Sequence, residues 1–340
     1  KKLGIPIGTY STESFFLLSK NIELIGEDRE LSIIKLKDNA IQNVIALTGT
    51  GKFKASNLTL DQNFANNSGG HGIRSGGCEK LVIENVTIQN CASYGIGFQA
   101  GTSNGVNLSK ITIKNTNSDG IDIKDYNNNN GCIYITDYTA ENVSIIDDND
   151  VALDVRGEVC VNNISITAVT PSRGVRLRQG GPQGRAGFGV INNVVFKGYG
   201  SDSTIALHIA ADAGNFTITG VSAKDCLQAV LQSTGAVGGI ITGVTGSGIY
   251  GDGMSIGGND LIVNGYSAKN TIGSDRLCDV ESTAVNFNLC NFFTDETTAS
   301  GQGIRINSGA VDTNLSNGAI RGGGVGDSGT GTVQTNVRAI

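Results

Sequence analysis

The chain has 340 residues, 49 of them glycine and only 3 proline, with no Trp, 1 Met, 16% charged residues and a formal net charge of −6. Such a composition suits many short strands joined by tight turns and excludes helical bundles, coiled coils and disordered tails. The negative balance leaves no basic footprint for nucleic acid or an acidic membrane surface, and no apolar run approaches the ~20 residues of a membrane helix.

In chain order, the opening "KKLGIPIGTY" reads as the interior of a domain, so the chain is expected to be a fragment of a longer one. From residue 71 onward a short apolar segment recurs: "HGIRS" (71), "YGIGF" (94), "DGIDI" (119), "VALDV" (151), "RGVRL" (173), "IALHI" (205), "QAVLQ" (228), "DGMSI" (252), "CDVES" (278) and "QGIRI" (302). The starts are 23, 25, 32, 22, 32, 23, 24, 26 and 24 residues apart, a unit of roughly 24 with two insertions. Between these segments run longer alternating strands such as "KLVIENVTIQN", "GVNLSKITIKN", "YTAENVSII" and "NDLIVNGYSAK". Each unit therefore holds two or three strands and no helix or leucine signature. That pattern predicts an all-β chain, a single parallel β-helix of ~24-residue coils stacked about 4.8 Å apart, spanning 1–340 as one domain.

Asn-x-Ser/Thr occurs at Asn57, Asn66, Asn85, Asn107, Asn142, Asn163, Asn215 and Asn314. Most fall at matching places in the longer track, which points to turn composition rather than glycosylation. The seven cysteines show no CxxC and an odd count, so they read as buried thiols from a reducing site of synthesis rather than a disulfide framework or zinc site. "DDND" (147–150) lacks the spacing of a calcium loop, and two histidines are too few for a His-rich metal centre; no metal and no cofactor are expected.

Strand alternation then sorts the charges. With Ile121, Leu153, Val175 and Leu207 inward in register, Asp122, Asp154, Arg176 and His208 point outward on successive coils. Two residues on, the outward column reads Gln99, Lys124, Arg156 and Arg178; at the segment starts it reads His71, Tyr94, Asp119, Val151 and Arg173. The same columns turn mostly neutral through Leu231 and Ser255 until Glu281 and Arg305. Ionisable groups are thus concentrated between about residues 71 and 208, and Tyr94, Tyr126, Tyr134 and Tyr138 add aromatic rings to the band. Asp122 and Asp154, one coil apart, suit retaining glycoside hydrolysis, whereas the longer Asp119–Asp154 separation suits an inverting enzyme. Asp119, Asp122 and Asp154 are therefore the candidate catalytic carboxylates. Tyr94, Lys124, Arg156, Arg173, Arg176, Arg178 and His208 are the candidate substrate-binding residues. In a lyase the same cations would neutralise a uronate carboxylate while Tyr94 or His71 exchanged protons.

"GIPIGTYSTESFFLLSKNIELIGEDRELSIIKL" resembles the opening of pectate-lyase-like right-handed β-helix proteins, bacteriophage tailspikes above all, and the later "NLTLDQN", "SYGIGFQ" and "SDGIDIKDY" resemble the same superfamily. Against mannuronan epimerases, Tyr94 matches the catalytic tyrosine, but Gly97 and Gln99 stand where the family has Asp and His, which argues against that chemistry. Against polygalacturonase-type hydrolases, "NSDGID" (117–122), "DDND" and "GVRLR" (174–178) follow the family order, which implies Asp119, Asp150 and the pair Arg176/Arg178; "GHG" falls two coils early, at 70–72. The tailspike resemblance implies a right-handed helix, a homotrimer and a place in a virion tail, made in a bacterial host and acting outside it, with a secreted enzyme as the alternative. The function expected is binding and depolymerisation of a bacterial surface polysaccharide, hydrolysis ahead of β-elimination, against a receptor-binding shaft without catalysis.

Overall fold

The computed structural model describes residues 1–13, 16–18, 21–40, 42–48, 51–98, 105–123, 133–143, 150–168, 173–178, 189–198, 204–269, 276–295 and 302–340. Among them the only helical element is one 3-10 turn, Phe64–Asn66, and no helix is long and apolar enough to cross a membrane. The described strand pairs are all parallel, joined by turns and irregular segments. The chain falls into two compact units, Lys1–Ser172 with Gly180–Arg185, and Arg173–Gln179 with Ala186–Ile340. Both are β-solenoids in which each coil gives one long and one short strand to two separate sheets.

In the first unit the long strands Lys52–Asp61, Lys80–Cys91, Val106–Thr116, Ile133–Val143 and Val159–Thr167 pair in sequence order. The short strands Ile45–Leu47, Ile73–Ser75, Ile96–Phe98, Ile121–Ile123 and Val151–Arg156 do the same, with Ile73, Ile96, Ile121 and Leu153 directly above one another. All four are 0% exposed. Long-strand residues stack likewise, Leu108 on Ile83 and under Ile135, Ile111 on Val86 and under Tyr138. The core is thus a set of aliphatic columns, each rung burying one side chain per coil at about 1.5–3 kcal/mol.

Within a long strand the alternation resets at a residue in the left-handed region. Asn57, Asn85, Lys110, Asp137 and Asn163 form one such corner, and Asn90, Asn115 and Asn142 the next, with φ between 52° and 57°. Asparagine tolerates that conformation, and its amide then bonds the same residue on the neighbouring coil. Asn85 Nδ2 donates to Asn57 Oδ1 at 2.8 Å, Asn115 to Asn90 at 3.2 Å and Asn142 to Asn115 at 2.8 Å. Five of the Asn-x-Ser/Thr asparagines, Asn57, Asn85, Asn142, Asn163 and Asn215, are therefore corner residues with positive φ.

The second unit repeats the plan with long strands from Gly189–Lys197 to Val333–Ala339 and short ones from Arg173–Arg178 to Gly324–Asp327. Val175, Leu207, Val230, Met254, Cys278 and Ile304 form its short-sheet column. This corrects one alignment: Cys278, not Val280, pairs with Met254, so Asp279 rather than Glu281 follows Ser255 in the outward column. Period-two alternation is unchanged by a two-residue slip, which is why "CDVES" fitted the repeat equally well in the wrong register. Six cysteines are free thiols, four of them buried; burial pushes Cys91 and Cys278 up, and Cys226 up to about 12, so these three stay protonated and inert. Cys132 lies outside the described residues.

The corners should be measurable. Asn115→Ala loses both ladder hydrogen bonds and strains φ 52°, whereas Asn115→Gly loses only the bonds. Chemical denaturation is expected to show the alanine variant less stable than the glycine variant by about 1 kcal/mol, both lying below the parent.

Candidate functional site

Strand Ile121–Ile123 lies between Ile96–Phe98 and Val151–Arg156, with Asp122 directly opposite Asp154. Alternation puts both carboxylates on the outer side of the short sheet, as the sequence predicts. Outward is not exposed here: Asp122 is 1% accessible, Asp154 0% and Asp119 5%. Asp119 sits in the turn that leads into the strand, and its Oδ1 accepts the Val151 N–H at 2.6 Å. One oxygen of each carboxylate lies within 4.8 Å of the others. Arg156, two residues after Asp154 and therefore on the same side, brings Nη2 to 3.3 Å from Asp154 Oδ2 and 3.9 Å from Asp122 Oδ1. The site thus gathers three carboxylates, two of which face the Arg156 guanidinium.

This crowding acts on Asp119. Burial, then the negative charge of Asp154, push its carboxyl up to about 8 against the lowering effect of the Val151 N–H; Asp122 and Asp150 add to the rise. At neutral pH Asp119 therefore holds its proton beside two further carboxylates. The three oxygens are also close enough to grip a divalent cation. Arg156 already sets its positive charge against two of them, and a second cation would have to face it.

One coil earlier, Tyr94 and His71 stack, with ring centroids 4.9 Å apart and planes 10° from parallel, and the Tyr94 N–H donates to His71 Nδ1 at 3.1 Å. A Cβ on Gly97 would stand 2.9 Å from Tyr94 Cδ2, so the tyrosine ring lies across the glycine, which is itself paired with Asp122. The other tyrosines of the band part company. Tyr134 is exposed, Tyr126 lies outside the described residues, and Tyr138 is fully buried, its hydroxyl donating to the Ala152 carbonyl at 2.7 Å. Tyr138 is core, not a sugar platform, because it stands in the inward column above Ile111.

Arg173, Arg176, Arg178 and His208 belong to the second unit. Arg176 pairs in register with His208 and is 9% exposed, and Arg178 is half-buried. Arg173 Nη1 lies 2.9 Å from His208 Nδ1, whose Nε2 lies 2.9 Å from Ser233 Oγ. A guanidinium only donates, so Nδ1 accepts and Nε2 carries the proton toward Ser233. That tautomer cannot deprotonate the serine, and the pair is not a nucleophile with its base. Lys124 and Gln99 lie outside the described residues. Sequence reasoning missed a buried acid in this unit: Asp279 accepts from Arg305 through Nε at 2.8 Å and through Nη2, and from Asn307 Nδ2 at 2.9 Å. The register slip at Cys278 hid it.

No family model matches the sequence, and no curated protein matches it. Solved structures do match. The A-module of Azotobacter vinelandii mannuronan C-5 epimerase AlgE6 superposes with a TM-score of 0.64 at 18% identity, over 98% of this chain and 90% of that one. The N-terminal fragment of bacteriophage phi29 gene product 12 gives 0.63 at 14%, over 99% and 66%. The catalytic domain of a GH87 alpha-1,3-glucanase gives 0.51 at 10%, over 99% and 61%. The fold is that of the right-handed β-helix proteins. At these identities the likeness is one of fold, and the chemistry has to be argued from the carboxylates themselves.

The raised Asp119 carboxyl has a stability signature. Its folded value, about 8, exceeds the ordinary 3.8, so between those two the folded chain keeps a proton that the unfolded chain releases, and stability falls as pH rises through this window. Melting temperatures from about pH 5 to about pH 8 should decline in the parent and decline less in Asp119→Asn, which cannot ionise; parallel slopes would contradict the assignment.

Proposed function

We propose that the chain binds and depolymerises a polysaccharide by glycoside hydrolysis at Asp119, Asp122 and Asp154. The observation that carries this reading is the clustering of three buried carboxyls whose oxygens lie within 4.8 Å of one another, with burial and Asp154 raising Asp119 to about 8. Asp119, the most exposed of the three, acts as general acid and gives its proton to the glycosidic oxygen. Asp122 or Asp154 attacks the anomeric carbon, and Asp119, now ionised, draws a proton from the water that releases the sugar. The short separation favours retention, since an inverting pair needs roughly 6.5–9.5 Å to admit a water. Arg156 steadies the charge on the two carboxylates as it changes. Neighbours named as an epimerase module and an alpha-1,3-glucanase support a polysaccharide as the substrate class. Epimerisation is not proposed, because Gly97 offers no carboxylate beside Tyr94.

The phage gene product among the neighbours supports placing the chain in a phage particle, acting on a bacterial surface polysaccharide, and a homotrimer belongs to the same reading. Light scattering that returned the mass of one chain would remove the trimer. The competing reading is a receptor-binding shaft without catalysis. It draws on the near-complete burial of Asp122 and Asp154, which leaves a sugar little room to reach them.

One assay separates these readings. The protein is incubated with purified capsule and O-antigen polysaccharides while reducing ends and absorbance near 232 nm are followed. New reducing ends without that absorbance are expected; both signals together mean a lyase, and retention with neither means a binder. In the hydrolase, Asp119→Asn, Asp122→Asn and Asp154→Asn should each lower turnover by about a hundredfold or more. Full activity in both Asp122→Asn and Asp154→Asn would place the chemistry elsewhere.

A further inference from the structure

The outward column that holds Asp154 and Asp122 continues through Gly97 to Arg74 and Ala46. Arg74 is exposed, and among the described residues no carboxylate pairs with it. The positions around it are small. Ala46 lies on one side and Gly97 on the other, and a Cβ on Gly76 would meet only the Leu47 carbonyl, at 3.7 Å. The ring of Tyr94, backed by His71, fills the space above Gly97. Among the described residues the floor therefore runs from the sealed carboxylates past the Tyr94 ring to the Arg74 guanidinium, about two coil spacings or roughly 10 Å away.

Charge decides what such a floor can hold. Two carboxylates beside Asp119 repel an anionic sugar at the point of cleavage, and Arg156 is already engaged with them. A guanidinium at the far end of the same column attracts one, through a bidentate bond to a carboxylate. We infer that Arg74 is a specificity residue for an acidic polysaccharide, anchoring a uronate carboxylate while the sugar next to it lies on Tyr94 and the scissile linkage reaches the aspartates. The proposal rests on the placement of the reacting carboxylates given above.

Affinity electrophoresis tests it apart from turnover. Polygalacturonate, alginate and acidic bacterial capsule polysaccharides are cast into gels, each intact and after carboxyl reduction. Retardation of the parent protein by at least one intact acidic polymer is expected, with its loss on reduction. Arg74→Gln should weaken that binding about tenfold and Arg74→Lys by less, since the lysine keeps the charge but not the fork. No retardation by any acidic polymer, equal retardation by the reduced form, or parent-like affinity in Arg74→Gln would overturn the inference. Binding that depends on Arg74 without cleavage would uphold it and remove the hydrolase, whereas cleavage of a neutral polymer untouched by Arg74→Gln would do the reverse.

Discussion

The in-register parallel stacking of one coil on the next is the constraint on which everything else in this chain depends. Ile73, Ile96, Ile121 and Leu153 form one buried column, and their pairing places Asp122 against Asp154. A slip of one residue would turn both carboxylates into the aliphatic core and Ile121 and Ile123 out of it. Burying two charges among hydrocarbon without partners costs far more than one hydrogen-bonded rung returns. A slip of two residues keeps the inward and outward sets intact, so alternation alone does not forbid it. The corners do: Lys110, Asp137 and Asn163 share a left-handed turn, and a shifted coil would set a corner against a straight strand.

Because each coil pairs its strands with those of the coils directly beside it, a site on such a fold has to be assembled from several coils at one lateral position. Tyr138 shows how the core takes part. Its hydroxyl, inside the solenoid, bonds the carbonyl of Ala152 just before the strand that carries Asp154. A side chain at Gly120 would run into both that hydroxyl and that carbonyl, so glycine is what lets the Asp119 turn close against the next coil. The step from Ile121 to Leu153 is also long, 32 residues against 23 and 25 for the two steps before it, so the coil that joins Asp122 to Asp154 is an enlarged one.

How much of this was legible follows from the same physics. Alternation with a recurring segment located the inward columns, and with them the Asp122–Asp154 and Arg176–His208 pairs, because side-chain direction in a strand is set by parity. Parity says nothing about accessibility. Asp122 and Asp154 point outward yet are sealed, since burial there depends on how Arg156, Asp119 and the adjoining coils close over them, which no single strand encodes. Nor does parity rank tyrosines. Tyr94 and Tyr138 fell in one sequence cluster, but one lies across Gly97 and the other fills the core.

The two buried acid sets separate a structural role from a chemical one. Asp279 occupies the outward column of the second unit, as Asp122 and Asp154 do in the first. It is matched by two donors from Arg305 and one from Asn307, so its charge is balanced and its lone pairs are filled; that is the arrangement an ion pair needs merely to offset its own desolvation. In the first unit Asp122 and Asp154 both face Arg156, and Asp119 beside them, raised to about 8 by burial and by Asp154, keeps its proton at neutral pH. Keeping a third acid beside a buried carboxylate pair trades stability for a carboxyl that is protonated at neutral pH beside two further carboxylates.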